Sequence, residues 1–353
     1  MKSVKYSASL PQPFASTTAL QQAYAEGLTR LLAGDVGLGG YILALANTAQ
    51  DATLWQLLER RLEERHYHLA ALVTTRLRQG RPIGVPDDDL MVFLKLMAIG
   101  FSDGLRVHTR RVGPWEVSFN PLRALRPPRA SRVRVEGLSR PFDPEGFHFN
   151  RPALEREVLW SGTLLGRPAR LLYNKFPFVE LHGLLVPEPE QSWPQWLTEQ
   201  WHDWAWALAA AAGEAMPGFG LAYNSLGAHA SVNHLHFQTF VRTVPLPLEQ
   251  GHWRHNRGEI AYPTTCLTFG DAGQAWQAIA SLHSQGTPYN MIYTAGRLYL
   301  LPRRPQGSHP QAEWASGHAW YEMAGGVVLF NRADYEGLDA EAIAVELQRV
   351  GQV

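Results

Sequence analysis

The stretch NHLHFQ, residues 233–238, sets His234, His236 and Gln238 two residues apart, with Leu235 and Phe237 between them. In a strand, side chains at i, i+2 and i+4 share one face, about 6.5–7 Å apart per step. The stretch therefore predicts a sheet that buries Leu235 and Phe237 on one side and holds two imidazoles and an amide on the other. Three readings fit. The polar residues belong to a half-exposed strand. They hold a metal, although two His without a nearby Asp, Glu or Cys are a thin ligand set. Or they do phosphorus chemistry: a neutral imidazole attacks a phosphate ester, a backbone carbonyl fixes its tautomer, and an amide donates to a non-bridging oxygen.

The remaining patterns predict an α+β protein whose first hundred residues are mainly helical. Leu54, Leu57, Leu58, Leu62, Leu69, Leu72 and Leu77 recur near helical spacing over 52–79, and Gly80 and Pro82 end that helix. Helices are also expected at 16–33 and 87–100. Short β-like runs follow at 115–119, 131–136, 156–160, 169–174 and 182–186. A helix is expected over 194–215 because Pro194 suits a first turn, then strands near 219–223 and 234–242. A helix over 275–285, a hairpin over 289–301 turning at Ala295-Gly296, a strand in GGVVLF and a helix over 339–350 complete the chain. The soft change of character near 105–115 divides a helical region, 1–104, from a mainly antiparallel region, 105–353, that packs with it as one compact unit or stands apart.

Bulk properties narrow the function. Lys+Arg and Asp+Glu both number 32, which argues against a broad nucleic-acid surface but allows a local basic pocket. Cys266 is the only cysteine, so neither a disulfide nor a CxxC metal knuckle forms within the chain. The start, MKSVKYSASLPQPF, has no apolar core of a secretory signal, and WAWALAAAAG at 204–213 is too short to span a bilayer. A soluble, cytoplasmic protein without a membrane partner is expected.

The loop ahead of the alternating histidines, YNSLGAHAS at 223–231, offers Asn224, Gly227 and Ser231, which allow close approach to a phosphate. The whole phrase YNSLGAHASVNHLHFQ resembles the histidine-triad and galactose-1-phosphate uridylyltransferase superfamily in its H-x-H-x-Q branch. Within that branch it is nearest the GDP-L-galactose and GDP-D-glucose phosphorylases. PFDPEGFHFN at 141–150, LLYNKFPFVELHGLLVP at 171–187, YPTTCLTF, TPYNMIYTAGRLYLLPR and WYEMAGGVVLFNRADYEG extend the resemblance in order over about 105–340. Asn174, Pro177 and His182 match the superfamily's strand–turn–strand; Leu181 stands where Gly is usual. FNPLRALRPPR at 119–129 is similar to the uridylyltransferases' R-A-x-R-P segment, and reads either as a clamp on a dianion through Arg123 and Arg126 or as a solvated basic loop.

The resemblance implies a histidine-triad-like, mainly antiparallel sheet in two related halves. It implies a nucleotidyltransferase that cleaves a nucleoside diphosphate sugar, GDP-hexose in the first place, with inorganic phosphate. His236 is then the nucleophile, His234 orients it, and Gln238 binds the phosphoryl group of a nucleotidyl-histidine. Asn174 contacts the ribose, Asn224 and Ser231 line the phosphate side, and Arg123 and Arg126 hold phosphate. Gln in place of a third His is typical of transferases and phosphorylases rather than hydrolases. No cofactor is implied, and no metal, since the uridylyltransferases' zinc site uses cysteines that this chain lacks; HWRH at 252–255 reads as a surface loop. A dinucleoside polyphosphate phosphorylase of the Ap4A type and a non-catalytic nucleotide-binding protein are the alternatives. The base, the sugar and the oligomeric state are left open.

Overall fold

Residues 10–34, 37–126 and 137–351 are described in the computed structural model; the strand expected at 131–136 lies outside them. Among the described residues, four helices come first: α1 (Thr17–Ala33), α2 (Gly37–Thr48), α3 (Ala52–Arg78) and α4 (Asp87–Ile99). Capping starts two of them. Ser16 Oγ accepts from Ala19 N, and Asp51 Oδ1 accepts from Thr53 N and Leu54 N, satisfying amides that have no partner within the helix. Helix α3 buries Leu54, Leu58, Leu62, Leu69 and Val73 and leaves Leu57, Leu72 and Leu77 outside. Helix α2 had no signal in the sequence. It is apolar all round and opens on glycines, so it has no amphipathic period to detect.

Two strands, β1 (His108–Val112) and β2 (Trp115–Phe119), follow, then the short α5 (Pro121–Ala124). The large sheet is built from β3 (Val158–Leu164), β4 (Arg167–Tyr173), β5 (Gly183–Pro187), β6 (Phe219–Asn224), β7 (Phe237–Val241), β8 (Leu267–Phe269), β9 (Tyr289–Thr294) and β10 (Arg297–Pro302). Helix α6 (Glu199–Ala215) precedes β6, and α7 (Ala272–Gln285) precedes β9. The chain closes with α8 (Trp320–Met323), β11 (Gly326–Leu329), α9 (Arg332–Gly337) and α10 (Ala340–Val350).

The large sheet runs β3-β4-β5-β7-β6-β9-β10-β8, antiparallel throughout. A smaller sheet, β1-β2-β11, pairs β11 parallel to β2. Both faces of the large sheet are covered, and the period of two decides which residue goes where. On one face Phe237, Val241, Met291, Tyr293, Leu298 and Leu300 pack with α1–α4, α6 and α7 in one continuous core. On the other, Ala222, Phe240, Ile292, Tyr299 and Leu301 pack with the small sheet, α8 and α10. A third cluster, Phe149, Leu172, Val186 and Val232, covers the β4–β5 end. Gly183 opens β5 where a Cβ would come within 2.6 Å of Leu171 Cδ1 and Thr239 Oγ1.

Two of the expected boundaries that differ share a visible cause. The helix predicted from 194 begins at Glu199. Trp193 O accepts from Leu235 N, and Gln195 N donates to Asn233 Oδ1, so 193–195 lies extended along the loop before β7. The strand predicted from 234 begins at Phe237, because that loop bonds to 193–195 rather than to a neighbouring strand.

Candidate active site

A cavity of about 1150 Å³ opens beside the start of β7. It is lined by Phe149, Leu172 and Val232 from the third apolar cluster and by Phe178 from the second. Its size suits a nucleotide-scale ligand. Arg123, Arg126, Asn174, Asn224, Ser231, His236 and Gln238 all line it. His234 does not.

His236 is 5% exposed. Its Nδ1 lies 2.8 Å from His234 O. A carbonyl only accepts, so Nδ1 carries the proton and Nε2 keeps the lone pair. Burial pushes the ring down to about 4, opposed by that backbone bond, so it is neutral at pH 7. The peptide of His236 is held as well. Gln195 Oε1 accepts from His236 N at 2.9 Å, and Gln195 Nε2 donates to Asn224 O at 3.0 Å and His236 O at 3.3 Å. One fully buried amide therefore ties the end of β6 to the residue before β7.

His234 is fully buried, with its ring against Phe142 and Phe149. Its Nδ1 accepts from Phe149 N at 3.1 Å, so its proton sits on Nε2. Burial, reinforced by His236, pushes it down to about 3. Its contribution to His236 is its backbone carbonyl.

Gln238 sits in β7 between Leu184 and Ala222. Its Oε1 accepts from Trp320 Nε1 at 2.8 Å and faces His182 Nε2 at 2.9 Å. Phe178 N donates to His182 Nδ1 at 3.4 Å, which leaves the proton on Nε2. Burial pushes His182 down to about 3, with the Gln238 bond opposing. Leu181, where the resemblance has Gly, holds φ at +49° and is buried in the helical core. The left-handed conformation costs roughly 1–2 kcal/mol for a residue with a Cβ, which burial of the leucine offsets.

Asn224 Oδ1 accepts from Asn290 Nδ2 at 2.6 Å and from Trp320 N at 3.0 Å. Asn174 Oδ1 accepts from Phe176 N, and its carbonyl accepts from Asn47 in α2. Next to it Lys175 Nζ pairs with Asp89 of α4 at 2.6 Å. The N-terminal helices thus brace this wall of the cavity. Arg123 donates to Phe176 O at 2.6 Å and stacks over Phe178, 4.6 Å from the ring centre. Burial lowers the pKa of its guanidinium below the ordinary arginine value, with Glu322 opposing. Arg126 is half-buried and Ser231 is exposed at the rim.

Gln195, Trp320 and Asn290 were not singled out by the sequence. Gln195 lay inside an expected helix, and Trp320 is one of twelve tryptophans with nothing to distinguish it. Among the described residues, no group of three or more His, Cys, Asp or Glu converges to hold a metal. His255 of HWRH instead faces Leu248 O at 2.7 Å. Among the described residues, no helix is long and apolar enough to cross a membrane.

Residues 116–240, which run from β2 through the alternating histidines to β7, match the family model of the GDPGP1-like N-terminal domain. Arabidopsis thaliana GDP-L-galactose phosphorylase 1 is 29% identical over 251 residues, 59% of this chain and 56% of that protein. Bos taurus GDP-D-glucose phosphorylase 1 is 30% identical over 257 residues, 61% and 65% of the two. The match to each spans less than two thirds of the relative's length. Among solved structures, the yeast Ap4A phosphorylase Apa2 aligns with a TM-score of 0.49 and 16% identity, covering 76% of this chain and 95% of that one. The matched residues, 116–240, contain His236, Gln238, Asn224, Asn174 and Gln195; Trp320 and Asn290 come from outside them.

Proposed function

We propose that this chain is a nucleotidyltransferase that cleaves a GDP-hexose with inorganic phosphate through a nucleotidyl-histidine. The observation that carries the reading is the pairing of His236 Nδ1 with the His234 carbonyl, which presents a neutral, unprotonated Nε2 on a ring lining a nucleotide-sized cavity. The names of the relatives, GDP-L-galactose and GDP-D-glucose phosphorylase, point to the substrate class.

His236 Nε2 attacks the α-phosphorus. The P–N bond forms as the P–O bond to hexose 1-phosphate breaks, and the sugar phosphate leaves with the electron pair. An oxygen of inorganic phosphate then attacks the same phosphorus, the P–N bond breaks, and GDP departs, restoring the neutral imidazole. Gln238 and Asn224 donate to the non-bridging oxygens as charge shifts onto them. Arg123 and Arg126 neutralise the acceptor phosphate, Asn174 meets the ribose and Ser231 the phosphate rim. Helices α2 and α4 buttress the nucleotide wall through Asn47 and Asp89. The chemistry needs no redox cofactor, and the lone cysteine fits a reducing, cytoplasmic setting.

The test is mass measurement after mixing the protein with GDP-glucose in phosphate-free buffer. One added nucleoside monophosphate, labile to acid, stable to base and discharged by phosphate as the nucleoside diphosphate, is expected. An adduct formed only with a dinucleoside polyphosphate moves the substrate class and keeps the chemistry. No adduct with any nucleotide, while binding persists, overturns the reading.

A further inference from the structure

Trp320 is fully buried at the start of α8, stacked on Phe240 with ring centres 4.8 Å apart and planes 14° from parallel. Its approach is fixed by Glu322, whose Oε2 accepts from Ala319 N at 3.0 Å. From this one residue two donors reach two different amides. The indole Nε1 donates to Gln238 Oε1, and the backbone N donates to Asn224 Oδ1. Each of those oxygens has a second donor, His182 Nε2 on Gln238 and Asn290 Nδ2 on Asn224.

A carboxamide oxygen has two lone pairs, so in both residues the acceptor end is saturated by donors. Only the NH2 groups remain, on side chains that line the cavity. Turning either amide over would set its NH2 against two donors and leave all of them unpaired in a buried place, which is costly. We propose that Trp320 is a positioning residue: together with His182 and Asn290 it turns the Gln238 and Asn224 amides so that both present NH2 to a phosphoryl group in the cavity. The value of such donors comes from their being aimed before charge develops, so that no reorganisation is needed during the reaction. The inference rests on the reading of the cavity as a phosphoryl-transfer site, but the orientation of the amides is measurable without it.

Trp320→Phe keeps the stacked ring and removes the indole donor. With GDP-glucose in phosphate-free buffer it should slow formation of the nucleotidyl adduct roughly tenfold, at an unchanged melting temperature. In a Gln238→Ala background the same change should slow it no further, because Trp320 acts through that amide. Equal slowing in both backgrounds overturns the proposal. Should the Phe variant melt early, 3-benzothienylalanine at position 320 replaces the N–H by sulfur at the same ring shape and repeats the cycle. If the wild-type chain forms no adduct, the functional reading fails, and the orientation is decided by NMR of the Gln238 side-chain amide in protein labelled with 15N-glutamine. That amide should be ordered in the wild type and mobile in Trp320→Phe. An amide equally ordered in both overturns the proposal.

Discussion

The Nδ1 of His236 donates to the carbonyl oxygen of His234, two residues earlier, at 2.8 Å. The bond is local, so any chain that extends through these three residues in this conformation makes it. It leaves Nε2 without a proton on the ring that faces the cavity. The first histidine of the pair therefore acts through its backbone, while its side chain is locked away under Phe142 and Phe149.

His236→Asn should abolish turnover and adduct formation while leaving the melting temperature within a few degrees of wild type. The His236 ring meets Phe149 edge-on, with centres 5.0 Å apart, so little packing is lost. Near wild-type turnover of the variant would remove His236 as the nucleophile. His234→Ala keeps the carbonyl, so any defect it shows should be one of folding, since it vacates an aromatic pocket.

Gln195→Ala should reduce both stability and rate. It strands His236 N and Asn224 O in a buried place, at roughly 1–3 kcal/mol for each unpaired group. Denaturant unfolding and single-turnover labelling read the two effects. A variant as stable and as fast as wild type would show that the clamp on the His236 peptide is dispensable.

Acid should destabilise the fold well before carboxylates titrate. Burial holds His236 down to about 4, and His182 and His234 to about 3, against an ordinary 6.5. Below 6.5 the unfolded chain takes up protons that the folded chain refuses, so stability falls as pH drops, down to the folded values. Above 6.5 both states are neutral at these rings and they contribute no slope. Adduct formation should likewise be independent of pH at His236 above about pH 5. Unfolding free energy that stays flat between pH 6.5 and about 4.5 would sink this account.

Arg123→Ala and Arg126→Ala should each weaken phosphate use, by roughly 1.5–3 kcal/mol if a charge-assisted hydrogen bond is lost. The two differ in a second respect. Arg123 also anchors Phe176 O and covers Phe178, so its loss should lower the melting temperature as well. Discharge of the adduct at varied phosphate, measured beside thermal melts, separates the effects. Unchanged kinetics in both variants would return the segment to a basic loop.

Glu116→Ala should be strongly destabilising. Arg242, just past β7, donates to both Glu116 oxygens at 2.9 and 2.7 Å, and Tyr321 bonds the same carboxylate. This network joins the small sheet to the large one. Removing one partner of a buried pair costs roughly 3–5 kcal/mol because the other charge is left uncompensated. A loss well below this in denaturant unfolding would show that Arg242 finds water or another acceptor.

Much of the architecture was legible because it is written in local periods. The hairpin over Tyr289–Pro302 and the helices at Thr17–Ala33, Ala52–Arg78 and Ala340–Val350 follow from residues a few positions apart. So does the burial of Leu235 and Phe237 opposite His236 and Gln238, since side-chain alternation is a property of extended backbone. The single cysteine and the balanced charge likewise limited the chemistry before any fold was considered. Helix α2 escaped because burial on every side erases the period that amphipathic helices display. What the tertiary structure alone decided is how the site is held. Gln195 meets His236 across 41 residues, His182 meets Gln238 across 56, and Trp320 meets Gln238 across 82. A hydrogen bond between groups so far apart in sequence exists only once the sheet has brought their strands and loops together. No propensity or spacing reports it: six consecutive residues suffice to propose His236 as the nucleophile, but not to find the groups that hold its peptide and its amide partners.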